Sequence, residues 1–195
     1  MQASARRQQI LEAAVRLFAQ KGVARTTTRQ IAQEVGVAEG LIFRYFPTKI
    51  DLLRAVTGTP HVFLSDLREI MKDAKTQPMA EVMGRVASDW LDLLHREADV
   101  SSIMIGESLI NPEIGSILYQ VIQEGATGIE QFLNASKQAG TITTFVDTKT
   151  IAHMYMSSIL MFFLRYRHLN DDDWKKESAV FANNLRVAWL RMVTP

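Results

Sequence analysis

The chain contains no cysteine. Disulfides and thiolate metal sites are thereby excluded, and a cytoplasmic setting fits. There is no strand-like alternation of apolar and polar residues, no internal repeat and no low-complexity segment. Long hydrophobic runs are missing too. The most apolar stretch, Met154 to Leu164, carries Ser157 and Ser158 and is too short to span a bilayer, so a buried helix is expected and no membrane partner. No secretory signal is visible. The amphipathic, Arg-containing start imitates a transit peptide, but Glu12 interrupts it.

Signatures of catalysis are equally scarce. The sequence has no His-Glu-x-x-His, no phosphate-loop glycine pattern and no Gly-x-Ser-x-Gly. The four histidines (His61, His95, His153, His168) are scattered, and Asp171-Asp172-Asp173 reads as a helix cap and solvated turn. No catalytic residue, metal site or cofactor is assigned.

Charge of one sign does not dominate, since the net value is +1. Its distribution is uneven, however. Residues 1–57 hold nine Lys/Arg (Arg6, Arg7, Arg16, Lys21, Arg25, Arg29, Arg44, Lys49, Arg54) against four acids, a net +5, which leaves −4 for the remainder. A basic head on an acidic body suits a polyanionic partner. With 195 residues the chain makes one large domain or two small ones and can bury a core without staples. The expected division is 1–57 and 58–195.

What is present is helical periodicity. A first helix runs from about Ser4 to Lys21, with Ile10, Leu11, Ala14, Leu17 and Phe18 on one face and Gly22 ending it. Thr27 with Gln30 forms a capping-box signature for a second helix, whose inner face is Ile31, Ala32 and Val35. Gly36 supplies a turn of positive φ. A third helix follows, with Ile42 and Phe46 inward, and Pro47 stops it. Thr48 caps a fourth helix, whose inward residues are Leu52, Leu53 and Val56. Gly58-Thr59-Pro60 marks a break. Further helices are expected at about 61–75, 79–96, 100–110, 112–139, 148–168 and 172–193, with Asp147 and Asp171 as N-caps and a loop from Gly140 to Asp147.

The second and third helices with their tight turn have the shape of a helix-turn-helix, which places its second helix in the DNA major groove. The residues around them (Ala13-Ala14, Leu17-Phe18, Lys21-Gly22-Val23, Thr26-Thr27-Thr28, Ile31-Ala32, Gly36-Val37 and Gly40-Leu41-Ile42-Phe43-Arg44-Tyr45-Phe46-Pro47-Thr48-Lys49-Asp51-Leu52-Leu53) resemble the tetracycline-repressor (TetR) family of bacterial regulators. The likeness covers about the first third of the chain. It implies an all-α protein in which a three-helix DNA-binding domain is joined by a linking helix to a helical domain that binds a small inducer and dimerises through its last two helices. It also implies a homodimeric repressor on a double-stranded DNA operator. Four positions depart from the family pattern and bear on individual contacts. Ala38 replaces a Ser/Thr cap, Glu39 stands where a basic residue is frequent, Phe43 replaces a tyrosine, and Tyr45 replaces a histidine.

Physical reasoning selects similar DNA contacts. Thr27 and Thr28 lie at a helix N-terminus that favours phosphate. Lys49 lies where a cation is unfavourable unless an anion is also present. Gly40 permits close approach, Leu41 suits a thymine methyl, Arg44 a guanine edge or phosphate, and Tyr45 a phosphate. Arg6, Arg7 and Arg29 add electrostatic attraction. Glu39 suits a cytosine amino group or is a solvated acid, and Phe43 is a packed aromatic or a further contact.

Seven of the nine methionines lie between Met71 and Met161, which suits a pocket for irregular apolar shapes and equally an ordinary core. Trp90, Met104, Tyr119, Phe132 and Met154 are candidate lining residues for a small, mostly apolar effector, with Glu107, His153 or Arg165 as polar points; His153 also reads as a core histidine. In the last helix Trp174, Ser178, Phe181, Leu185, Ala188 and Met192 form a seam with steps of four and three. The preceding helix, with Ile159 and Phe163, is apolar nearly all round. A four-helix bundle with a second copy accounts for both helices; burial within one subunit is the alternative. An architectural DNA binder would not need this body, and a helical enzyme would need a site the sequence does not offer.

Overall fold

A computed structural model describes residues 2–57, 77–143, 145 and 147–194 of the chain. The break expected at Gly58-Thr59-Pro60, the helix expected at 61–75, with Met71, and the boundary at 57/58 fall on or against residues outside this set. Among the described residues there are nine α-helices and no strand: α1 (Gln2–Lys21), α2 (Thr28–Val35), α3 (Glu39–Tyr45), α4 (Lys49–Thr57), α5 (Met79–Arg96), α6 (Ala98–Ser108), α7 (Pro112–Gln138), α8 (Thr148–Tyr166) and α9 (Asp171–Val193). None of them is long and apolar enough to cross a membrane.

The chain forms two compact units. The first holds α1–α4 together with residues 97–118, which contain α6 and the start of α7. Its core is continuous. Ile10, Ala13, Ala14, Leu17 and Phe18 of α1 meet Ile31 and Ala32 of α2, Ile42 of α3, and Leu52, Leu53 and Val56 of α4, and Ile103, Met104 and Ile114 complete it. Residues 97–118, placed by the sequence division in the second domain, are thus built into the first unit.

Local signals define each turn of this unit. Gly22 closes α1 at φ 81°, its N–H donating to the Phe18 carbonyl at 2.9 Å. Thr26, almost fully buried, donates its hydroxyl to the Gly22 carbonyl at 2.9 Å and lies 3.2 Å from the Leu17 carbonyl, so it satisfies backbone acceptors at the end of α1. Thr27 and Gln30 make the expected reciprocal capping box, and Gly36 ends α2 at φ 73°. A second box opens α4, where the Asp51 carboxylate accepts from the Thr48 N–H (3.0 Å) and hydroxyl (2.6 Å). The Asp51 N–H returns a bond to Thr48 Oγ1 at 3.1 Å. Arg54 then bridges Asp51 to Glu113 at the start of α7, each at 2.9 Å.

The second unit holds α5, the rest of α7, α8 and α9. Here α5 packs along α9 and α8 packs against both. Trp90, Leu91, Ile129, Leu133, Tyr155, Ile159, Phe163, Trp174 and Trp189 are buried in it. The Tyr155 hydroxyl donates to the Met83 carbonyl, and Trp189 stands edge-on to the Tyr155 ring at 6.0 Å. Burial raises the Tyr155 pKa far above the ordinary phenol value, so the group stays neutral. Asp147 occupies the N-cap position of α8, where its carboxylate accepts from the Thr150 hydroxyl at 2.5 Å. At α9 the expected cap Asp171 is corrected to Asn170, whose side chain accepts the Asp173 N–H at 3.0 Å. Asp171 is instead the first helical residue, with its carboxylate 3.0 Å from His95 Nε2. The expected loop at 140–147 is anchored at Thr143, whose N–H donates to the Val193 carbonyl at 2.9 Å.

Candidate nucleic-acid interface

The inward residues of α2 and α3 (Ile31, Ala32, Ile42, with Phe46 just beyond) set the crossing of the two helices and leave their other faces to solvent. Gly40, Phe43 and Arg44 of α3 are exposed, as are Thr27 and Arg29 of α2; Leu41 is half-buried. Phe43 is 44% exposed, so the packed-aromatic reading gives way to an accessible ring. Gly40 has no positive φ, and a Cβ built on it would meet nothing within 4 Å. The subunit does not require glycine at this position. A surface that must approach another closely does.

The remaining candidates are partly engaged within the unit. The Thr27 hydroxyl accepts from the Gln30 N–H. Thr28 donates its hydroxyl to Glu39 Oε1 at 2.6 Å, joining the first turn of α2 to the first residue of α3. Tyr45 is half-buried against the core. The Lys49 ammonium donates to the Val23 carbonyl in the α1–α2 turn, and burial lowers its pKa, partly offset by the Glu107 carboxylate of α6. One of its three N–H donors is committed to holding α4 against that turn, a role that sequence reasoning missed because the residues lie 26 apart. Arg7 sits 5.1 Å over the Phe46 ring, and Arg16 pairs with Glu34 at 3.5 Å. The exposed basic groups on the helix-turn-helix itself are Arg29 and Arg44.

The eight effector candidates are not gathered into one site, although Met154 and Arg165 line the same groove. Met104 is buried in the core of the first unit, and Glu107 lies on the same helix toward Lys49. In the second unit Trp90 is buried beside Gly125 and Met156. Phe132 and His153 are half-buried, and Tyr119 is 63% exposed. Met154 faces outward and lines an open groove between α8 and α9.

The proposed seam on α9 is likewise divided. Trp174 is buried within the subunit, stacked on His95 at 4.4 Å and edge-on to Phe162 and Phe163. Ile159 and Phe163 are buried as well, so these three are spent on the internal core rather than on a partner. Phe181 and Leu185 are half-buried, and Ala188 and Met192 are exposed. The groove has a volume of about 710 Å³ and is lined by Met154, Met161, Phe162, Val180 and Phe181, with Arg165 and Glu177.

The family profile of bacterial regulatory proteins, tetR family, matches residues 10–56, which are α1 to α4 without the ends. The HTH-type transcriptional regulator YerO of Bacillus subtilis is 26% identical over 159 residues; the match takes in 78% of this chain and 55% of YerO, so the chain spans little more than half of that relative. Among solved structures, NalD of Pseudomonas aeruginosa, the secondary repressor of the MexAB-OprM multidrug efflux pump, superposes with a TM-score of 0.76 at 19% identity, covering 100% of this chain and 98% of NalD. The regulator FadR of Bacillus subtilis, in complex with stearoyl-CoA, superposes with a TM-score of 0.71 at 21% identity over 93% of this chain and 96% of FadR. With the helix-turn-helix geometry above, these matches lead to one conclusion: residues 10–56 are a tetR-type helix-turn-helix DNA-binding domain, and the chain as a whole has the fold of, and is similar to, regulators of that family.

Proposed function

We propose that the protein is a ligand-responsive repressor that binds a palindromic operator as a homodimer in the cytoplasm and leaves it when a small, mostly apolar effector binds. The observation that carries the DNA half is the exposed face of α3, where Gly40, Phe43 and Arg44 stand clear of the subunit. The apolar groove between α8 and α9 supports dimerisation, because Met161 and Val180 are 64% and 53% exposed on it. A dimer would set the two recognition helices about 34 Å apart, one turn of DNA, or a multiple of that. The effector half is supported by relatives: FadR carries stearoyl-CoA, and NalD is a repressor of a multidrug efflux pump. An acyl chain or a hydrophobic drug is therefore the effector class we infer.

Release requires the effector to prefer a conformation in which the two recognition helices no longer match adjacent grooves. Coupling of about 1–3 kcal/mol lowers operator affinity roughly 5- to 150-fold. The test is selection of bound DNA from a random pool, followed by release assays with stearoyl-CoA and a panel of apolar drugs. A palindromic consensus and a releasing compound are expected. Calorimetry must then show that compound binding more weakly to the operator complex than to free protein. Equal affinity for both would remove the allosteric reading and leave a DNA-binding dimer.

A further inference from the structure

The Thr28 hydroxyl and the Glu39 carboxylate are joined at 2.6 Å across the helix-turn-helix, and neither side chain caps its own helix. Thr27 already caps α2, so the neighbouring hydroxyl of Thr28 is spare. Nor does the Glu39 carboxylate cap its own helix: Ala38 holds the N-cap position with no side-chain bond, and Glu39 turns to Thr28 eleven residues back. Among the described residues no Lys or Arg pairs with Glu39, although the unit is basic. An unneutralised carboxylate on a surface that meets phosphates is a cost, unless it finds a donor there.

We propose that Thr28 is a positioning residue that holds Glu39 as a reader of cytosine in the operator. This rests on the reading that α3 enters the major groove. The hydroxyl fixes Oε1 and so orients the side chain, while Oε2 has no hydrogen-bond partner among the described residues and can only accept. Major-groove edges present acceptors at guanine N7 and O6, adenine N7 and thymine O4, and each of these repels a carboxylate. The cytosine N4 amino group donates and has no acceptor beside it on its own base. The adenine amino group also donates, but N7 lies next to it and opposes the second oxygen. The pair thus works by rejection as much as by attraction. Gly40, with open space around it, lets this end of α3 come near enough for a short side chain to touch a base edge.

The experiment is selection from a random DNA pool with the full chain and with Glu39→Gln, Glu39→Ala, Thr28→Val and Thr28→Ser, each first shown to be folded by its melting curve. The parent should require cytosine at one position of each half-site, and replacing that base should weaken binding by about 5- to 150-fold. Glu39→Gln should move the preference at that position to adenine, since an amide pairs with both N6 and N7. Glu39→Ala should lose any preference there. Thr28→Val should blur the same position with the rest of the consensus and the salt dependence unchanged, and Thr28→Ser should restore it. If all variants return the parent's consensus, or if the parent's consensus has no cytosine that responds to Glu39, the contact is only a tie between two helices and the proposal fails. If the parent returns no consensus at all, the regulator reading fails with it, so the two failures are distinguishable.

Discussion

Asp51 shows how one side chain sets a pH limit. The Thr48 hydroxyl, then the Thr48 N–H and Arg54, hold its carboxyl below the usual range. A lowered carboxylate pKa contributes stability that is present above the unfolded value, near 3.9, and is lost as pH falls through the folded value. Asp51→Asn should therefore flatten the decline in melting temperature below about pH 4 and leave neutral-pH DNA selectivity alone; thermal melts from pH 2 to 7 check it. Gly40 gives the opposite kind of test. Because its Cβ position is empty, Gly40→Ala should keep or raise the melting temperature, by up to about 1 kcal/mol of helix propensity. Operator affinity should nonetheless fall if α3 approaches DNA as closely as proposed. A gel-shift titration showing undiminished affinity would mean that the glycine has no role at the interface.

Individual helices were readable wherever their signals are local. The Thr27–Gln30 box, Gly36 and the Pro47 stop depend on neighbours within a few residues, and the structure shows the box, the left-handed turn and α3 ending at Tyr45. Contacts that depend on a crossing angle were not readable. Thr28–Glu39 and Lys49–Val23 join residues 11 and 26 apart, and no pattern in the sequence announces them. Periodicity likewise says which face of a helix is buried, not by what. Trp174 sits at a regular seam position of α9, yet it is covered by His95 and Phe162 of its own subunit. Among the described glycines, Gly125 of α7 in the second unit is the most tightly enclosed: an added Cβ would lie 2.6 Å from Trp90 and 3.0 Å from Met156. Gly125→Ala gains about 1 kcal/mol of helix propensity, but overpacking against a buried indole costs about 1–3 kcal/mol. A net loss of stability is expected in denaturant titrations, with the slope unchanged.

For the molecule as a whole, the proposed dimerisation is the property on which operator geometry would depend. Met161→Glu and Val180→Glu put charge on the exposed groove without touching the internal core of Ile159, Phe163 and Trp174. Each variant should sediment as a folded monomer at micromolar concentration and lose affinity for a palindrome far more than for a half-site; a dimer of unchanged affinity would place the partner surface elsewhere. The packing of Ile103, Met104 and Ile114 into the core of the DNA-binding unit has a separate consequence. A fragment ending at residue 57 leaves that core open on one side and should melt without cooperativity, whereas adding back 97–118 through a linker should restore a sharp transition. Reading heads cannot then be traded freely among relatives at the covalent boundary. A chimaera joined there takes one wall of its head's core, Ile103, Met104 and Ile114, from the other parent, so a change in DNA specificity that reshapes the head must be accommodated by a segment nearly forty residues downstream of it.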